Sequence, residues 1–206
     1  MADNPTEQIW QKLWFSRRPN EGDHIRFELG GEEFDNDEQP IPRFLQAFNR
    51  AATVADHIFT DDLIGVVAWY PRDVTSHFQT PETDSGFEGL EKTGFSATQL
   101  SKWKTDVYPD PEEEQALWEV RSYDLSSSKS NRDCLIWHSV AIEMPIYPSA
   151  GVLTWLIDPK AALMLHVYDD RGMDLIAKDP KQLKPIYDRF NPWLLDYDRD
   201  RMSKLF

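Results

Sequence analysis

Little in this chain of 206 residues can be cross-linked, ligated to a soft metal or inserted into a bilayer. Cys134 is its one cysteine, which excludes an internal disulfide and a multi-cysteine zinc site and fits a reducing compartment. Cations are scarce: 22 Lys and Arg stand against 36 Asp and Glu, a formal charge of −14, and no contiguous basic stretch interrupts that balance. Such a field repels phosphate backbones and attracts cationic partners, so a basic protein partner is expected and direct nucleic-acid binding is not. No apolar run approaches the ~18 residues that a membrane span requires. Residues Met1 to Pro5 lack the basic and apolar regions of a secretory leader, so the expected location is the cytoplasm, without membrane contact. There is no P-loop, G-x-G-x-x-G, G-x-S-x-G elbow, H-E-x-x-H or EF-hand spacing, hence no motif that implies a cofactor or a metal, and this weighs against an enzyme.

What is present is enough for one sizeable core. With 40% hydrophobic and 13% aromatic residues, the chain is expected to form a single domain over 1–206. Ile9, Trp10, Leu13 and Trp14 recur on one side of a short helix over 6–15, and His24 to Leu29 alternates as a half-buried strand. Phe44, Leu45, Phe48, Ala51, Ala52, Ala55, Ile58 and Phe59 keep helical spacing for about five turns. Leu63 to Tyr70 is a nearly continuous apolar run, as in a strand covered on both faces. Residues 72–113 are expected to be the least ordered part and a candidate flap, with a short helix opened by Ser96 and Gln99 as a capping box through Leu100 and Trp103. Leu117 to Leu125 reads as a strand and Asn131 to Met144 as a helix.

Residues 152–201 are the most regular. Val152 to Ile157, Leu163 to Tyr168 and Met173 to Ala177 form a three-stranded meander, followed by a helix capped by Asp179 that Pro185 is expected to kink. The fold expected is α+β: a mostly antiparallel sheet of five or six strands with helices packed on it.

The hairpin around Asp169-Asp170-Arg171-Gly172 concentrates the chemistry. Gly172 is expected to supply a positive φ that closes a bulged three-residue loop, setting Tyr168 opposite Asp174 and His166 opposite Ile176. One strand face is then apolar, through Leu163, Leu165, Val167, Met173, Leu175 and Ala177. The other gathers Met164, His166, Tyr168, Asp174 and Ile176, with Trp155 alongside. A histidine, a phenol and a carboxylate suit general acid-base work, so a small hydrolase-like enzyme would use His166, Tyr168, Asp170 and Asp174, with Arg171 holding an anionic group. They equally suit a hydrogen-bonded sheet face. The tip residues are expected to be exposed. As a binding site the candidates are Asp169, Asp170, Arg171, Asp174, Asp196 and Arg199, the tail 193–202 offering acids for Arg171 and arginines for Asp169 or Asp170. Asp169, Asp170, Asp174, Asp196 and Asp198 would suit Mg²⁺ or Ca²⁺, but no ligand motif supports a metal. Cys134 and His138 sit four residues apart on one helix, where a buried, inert thiol is expected.

From His166 to Ala177 the chain resembles a bacterial family catalogued as domain of unknown function 3885. The resemblance continues through Leu183, Pro185 and Tyr187 into Asn191, Trp193 and Leu195 to Arg199, and returns at Ile25 to Gly30 and at Arg43 to Ala51. It covers most of the chain and is weakest over 72–113. It implies a relative without a reaction; labels on some members that link them to Rhs or Vgr toxin-delivery elements imply an immunity-type role. The expectation is an acidic protein-binding domain, immunity or antitoxin-like, that neutralises a basic effector. Acidic loops at 32–38 and 110–114 would steer the encounter.

Overall fold

The computed structural model describes residues 4–16, 23–35, 37–59, 62–70, 86–109, 117–126 and 128–206. Among the described residues, seven strands build one antiparallel sheet: β1 (His24–Glu28), β2 (Ile64–Trp69), β3 (Thr98–Asp106), β4 (Leu117–Asp124), β5 (Leu153–Asp158), β6 (Leu163–Val167) and β7 (Gly172–Ala177), in the order β1-β7-β6-β5-β2-β4-β3. The α+β class holds, with seven strands in place of the expected five or six. The additional strand is β3, where a helix was expected. There the Ser96 amide takes a hydrogen bond partner elsewhere, donating to Asn131 Oδ1 at 3.0 Å, and residues 98–106 pair with β4 as an edge. An edge strand with Leu100, Lys102 and Lys104 exposed lacks the alternating apolar signal that reveals an interior strand.

Helices cover both faces. On the first lie α2 (Pro40–Ile58), α3 (Gly86–Lys92), α4 (Lys129–Val140) and α5 (Lys184–Arg189), burying Phe44, Ala51, Val54, Leu90, Leu135 and Ile186 against strand residues such as Phe27, Leu165 and Leu175. On the second lies α1 (Pro5–Trp14), whose Trp10, Leu13 and Trp14 meet Val66, Trp155 and Ile176. Asn4 caps α1 by accepting from the Glu7 amide at 3.3 Å, and Pro5 supplies the preset first-turn φ. Trp14 Nε1 donates to the Val107 carbonyl at 2.8 Å, which ties α1 to the segment after β3. Of the expected flap, residues 72–85 lie outside the described residues, as does the acidic cluster 110–114, whereas 86–109 carry α3 and β3.

The helix expected after Asp179 divides: Pro180–Leu183 is a 3-10 turn capped by Asp179, and α5 begins at Lys184 with Pro185 in its first turn. The tail then closes the β1 edge. Leu194 bridges to Phe27, and the Leu195 amide donates to the Arg26 carbonyl at 3.0 Å. A short helix, α6 (Arg199–Ser203), ends the chain. No helix among the described residues is long and apolar enough to cross a membrane.

His138 is fully buried on α4 and its tautomer is fixed by its partners. The Ala150 amide donates to Nδ1 at 3.1 Å, so Nε2 carries the proton. Nε2 donates to Thr93 Oγ1 at 2.9 Å, whose own hydroxyl donates to the Leu90 carbonyl at 2.7 Å. Burial lowers its pKa to about 4 from 6.5. Because the unfolded chain takes up the proton first, this group contributes full stability above pH 6.5 and loses it as pH falls to about 4. The two values correspond to about 3 kcal/mol. A His138→Gln variant, able to keep both hydrogen bonds, is expected to lose this part of the stability change when urea unfolding is compared at pH 7.5 and 4.5. An unchanged difference would contradict the assignment. Cys134, half-buried beside Thr93 Oγ1 at 3.5 Å, has its thiol pKa raised by burial, as an inert cysteine should.

Candidate functional site

The hairpin has a different register from the one expected. His166 lies opposite Asp174, Met164 opposite Ile176 and Val167 opposite Met173, and the Tyr168 amide donates to the Gly172 carbonyl at 3.3 Å. The slip is two residues, which preserves the face on which every side chain points. The loop is therefore Asp169 to Arg171, and Gly172 is the first residue of β7, without a positive φ. Its glycine identity has a steric cause: a Cβ would fall on the Tyr168 phenol and 2.7 Å from the Phe27 carbonyl oxygen.

The two tip aspartates are buried where exposure was expected, Asp169 being 2% and Asp170 3% exposed, while Arg171 is exposed as expected. Asp169 Oδ1 accepts from the Arg171 amide at 2.7 Å and Oδ2 from Arg171 Nε at 2.8 Å. That hydrogen bond and the Asp169 charge raise the Arg171 pKa despite burial. Asp170 pairs with Arg43 Nε of α2. Arg43 Nη1 also donates to the carbonyls of Gly31 at 2.8 Å and Phe34 at 2.9 Å. Gln46 and Arg50, further along α2, donate to carbonyls of residues 28–30. One helix side thus fastens the β1–α2 connection, and the hairpin tip fastens the helix's first arginine. Gly30 sits inside this clamp: a Cβ there would meet the Arg43 guanidinium and stand 2.9 Å from the Asp170 carbonyl oxygen. The Leu29 amide donates to the Arg171 carbonyl at 2.9 Å, completing it.

The clamp holds an acidic loop toward solvent. Glu32, Glu33, Asp35, Asp37 and Glu38 are all exposed. Asp35 Oδ1 accepts from the amides of Asp37 at 2.8 Å and Glu38 at 3.0 Å. The Glu38 and Asp37 amides hold its carboxyl below the usual range. On the other side of the tip, exposed Arg171 reaches Glu143 Oε2 at 2.9 Å, so the segment after α4 is tied to the same hairpin.

The remaining candidates fall elsewhere. Asp174 is fully buried on the second face and accepts from Arg26 Nε at 2.8 Å and Nη2 at 3.4 Å. Arg26 Nη1 lies 3.1 Å from Asp198, which Arg201 Nη2 meets at 3.2 Å. Arg201 Nη1 donates to the His24 carbonyl at 3.0 Å. Burial opposes the charge on Arg26, but Asp174, Tyr168 and Asp198 outweigh it and raise its pKa. The direct hairpin–tail pairs expected of Arg171, Asp169 and Asp170 are replaced by other partners, and Arg26 of β1 instead joins Asp174 of the hairpin to Asp198 of the tail. Asp196 and Arg199 pair with each other, Arg199 also donating to Asn191 Oδ1 at 3.0 Å.

Each of the five aspartates considered for a metal therefore has an arginine partner. His166, also buried, donates from Nδ1 to the Thr154 carbonyl at 2.8 Å, stacks on Trp155 and meets Trp14 of α1 edge-on. Of the four side chains of the acid-base reading, Asp170 turns to α2 on one face, while His166, Tyr168 and Asp174 share the other, His166 lying opposite Asp174 with its ring 6.1 Å from that of Tyr168. Sequence patterns had no means to reveal Arg43 and Arg26, which are 127 and 148 residues away from their carboxylates.

A model of the family described as domain of unknown function (DUF3885) matches residues 6–198. Over 35 residues the chain is 37% identical to the uncharacterized protein YnaE of Bacillus subtilis (strain 168), a stretch covering 17% of this chain and 16% of that protein. The chain thus aligns with about a sixth of that relative's length. No solved structure matches.

Proposed function

We propose, for a chain that belongs to the domain of unknown function 3885 family, that its task is to bind a basic protein partner in the bacterial cytoplasm, in the manner of an immunity or antitoxin protein that masks its target. One observation carries the reading: the hairpin carboxylates are buried against arginines, and through Arg43 they hold a loop that presents five carboxylates to solvent. A reaction centre needs its acids and bases open to substrate. A neutraliser needs a fixed field of one sign, and the net charge of −14 extends that field over the whole molecule. The same charge disfavours nucleic acid as the ligand.

The test is kinetic. A partner recovered from the source bacterium at low salt, then purified, is expected to be basic and to associate at least roughly tenfold more slowly at 500 mM than at 50 mM salt. A salt-independent rate, or no salt-releasable basic partner, would overturn the reading.

A further inference from the structure

Charge accelerates an encounter, but residence requires an apolar centre from which water is excluded. Helix α2 displays one. Ile41, Leu45 and Phe48 follow at i, i+4 and i+7, with Ile41 61% and Leu45 49% exposed. Phe48 lies 6.3 Å from the ring of Trp137 on α4, and Phe44 beneath lies 4.4 Å from it. Trp137 Nε1 donates to the Pro148 carbonyl at 2.9 Å, which fixes the far border where Tyr147 is exposed. The near border is the N-terminal end of α2, where the loop 32–38 brings its carboxylates. The near border is tied to the hairpin tip through Asp170 and Arg43, and the 3-10 turn that follows α4 is tied to the same tip through Glu143 and Arg171.

We propose, resting on the basic-partner reading, that this stripe is the docking surface and that its occupant is an amphipathic helix of the partner with lysines or arginines flanking apolar anchors. The i, i+4 ridge of an exposed helix fits the groove of another helix, and it offers no unpaired backbone edge for a strand to join. Charge complementarity with the loop sets the flanking residues. A second copy of this chain is a poor occupant, since a two-fold contact on the stripe would bring like-charged loops together.

The full chain carrying Ile41→Lys and Leu45→Lys tests it, against Leu100→Lys on β3 as a control. All three positions are exposed, and an unchanged thermal midpoint verifies folding. With the purified partner as the probe, the double variant is expected to bind about 100-fold more weakly and the control as wild type. A photo-crosslinker at position 45 is expected to label a Lys- or Arg-rich segment with apolar residues three or four apart. Wild-type affinity in the double variant, with salt still releasing the partner, would overturn the surface and leave the binding reading standing. A label on a second copy, or on a segment without basic residues, would overturn the proposed occupant. Failure to find any salt-releasable basic partner would sink both.

Discussion

Arg26→Met is expected to destabilise the fold by about 3–5 kcal/mol, because it takes the paired guanidinium away from the fully buried Asp174 carboxylate. The effect reaches past one pair. Arg26 joins β7 to the tail through Asp198, its carbonyl accepts from Leu195, and its amide contacts the Met202 sulfur at 3.1 Å. Losing the arginine loosens the segment that covers the β1 edge as well as the pair itself. Replacing both partners, as Arg26→Met with Asp174→Leu, is expected to recover a good part of the loss, since two apolar groups leave no stranded charge. Urea unfolding of the single and double variants measures this. A single-variant loss below about 1 kcal/mol would place the pair among solvent-exposed bridges, against its burial.

Arg43→Met is expected to cost a similar amount, about 3–5 kcal/mol, by stranding Asp170 and freeing the carbonyls of Gly31 and Phe34. Its second consequence distinguishes the two arginines. Arg26 holds the tail, so its loss leaves the acidic loop in place, whereas loss of Arg43 lets residues 30–38 sample many conformations while the sheet keeps its pairing. The partner's association should then slow in the Arg43 variant under conditions where both variants remain folded, because an ordered array of carboxylates becomes a diffuse one.

The faces of the strands were legible in the sequence because alternation depends only on parity. That is why Met164, His166, Asp174 and Ile176 were assigned to the second face although the hairpin register was read two residues out. The class of fold followed from the same alternation and from the helical spacing of α2. The edge strand β3 escaped because edge protection by Lys102 and Lys104 removes the pattern that marks a strand, and because Ser96 and Gln99 imitate a helix start. Asp169 and Asp170 looked exposed because turns commonly are; their pairing with Arg171 and with Arg43 of α2 accompanies their burial, while Arg171 is exposed as expected. The nearby tail offers arginines to these carboxylates, but Asp169 takes Arg171 of its own turn, Asp170 takes Arg43 of α2 and Asp174 takes Arg26 of β1. Local spacing carries no trace of such long-range pairs, although Gly30, Gly172 and Arg43 all fall in the stretches that resemble the family, and the clamp gives each a physical reason.

Hydrogen exchange of the amides between Leu29 and Gln39, compared in wild type and Asp170→Asn, tests most directly whether the signature hairpin is a clamp for the acidic loop. The Leu29 amide donates to Arg171 and the Gln39 amide to the Asp35 carbonyl, so both report on the clamp. Exchange in this window is expected to quicken about tenfold or more in the variant, while the amides of β5 and β6 stay protected. Unchanged exchange at Leu29 and Gln39, with a folded variant, would mean that the hairpin carboxylates do not organise the loop and would contradict the account.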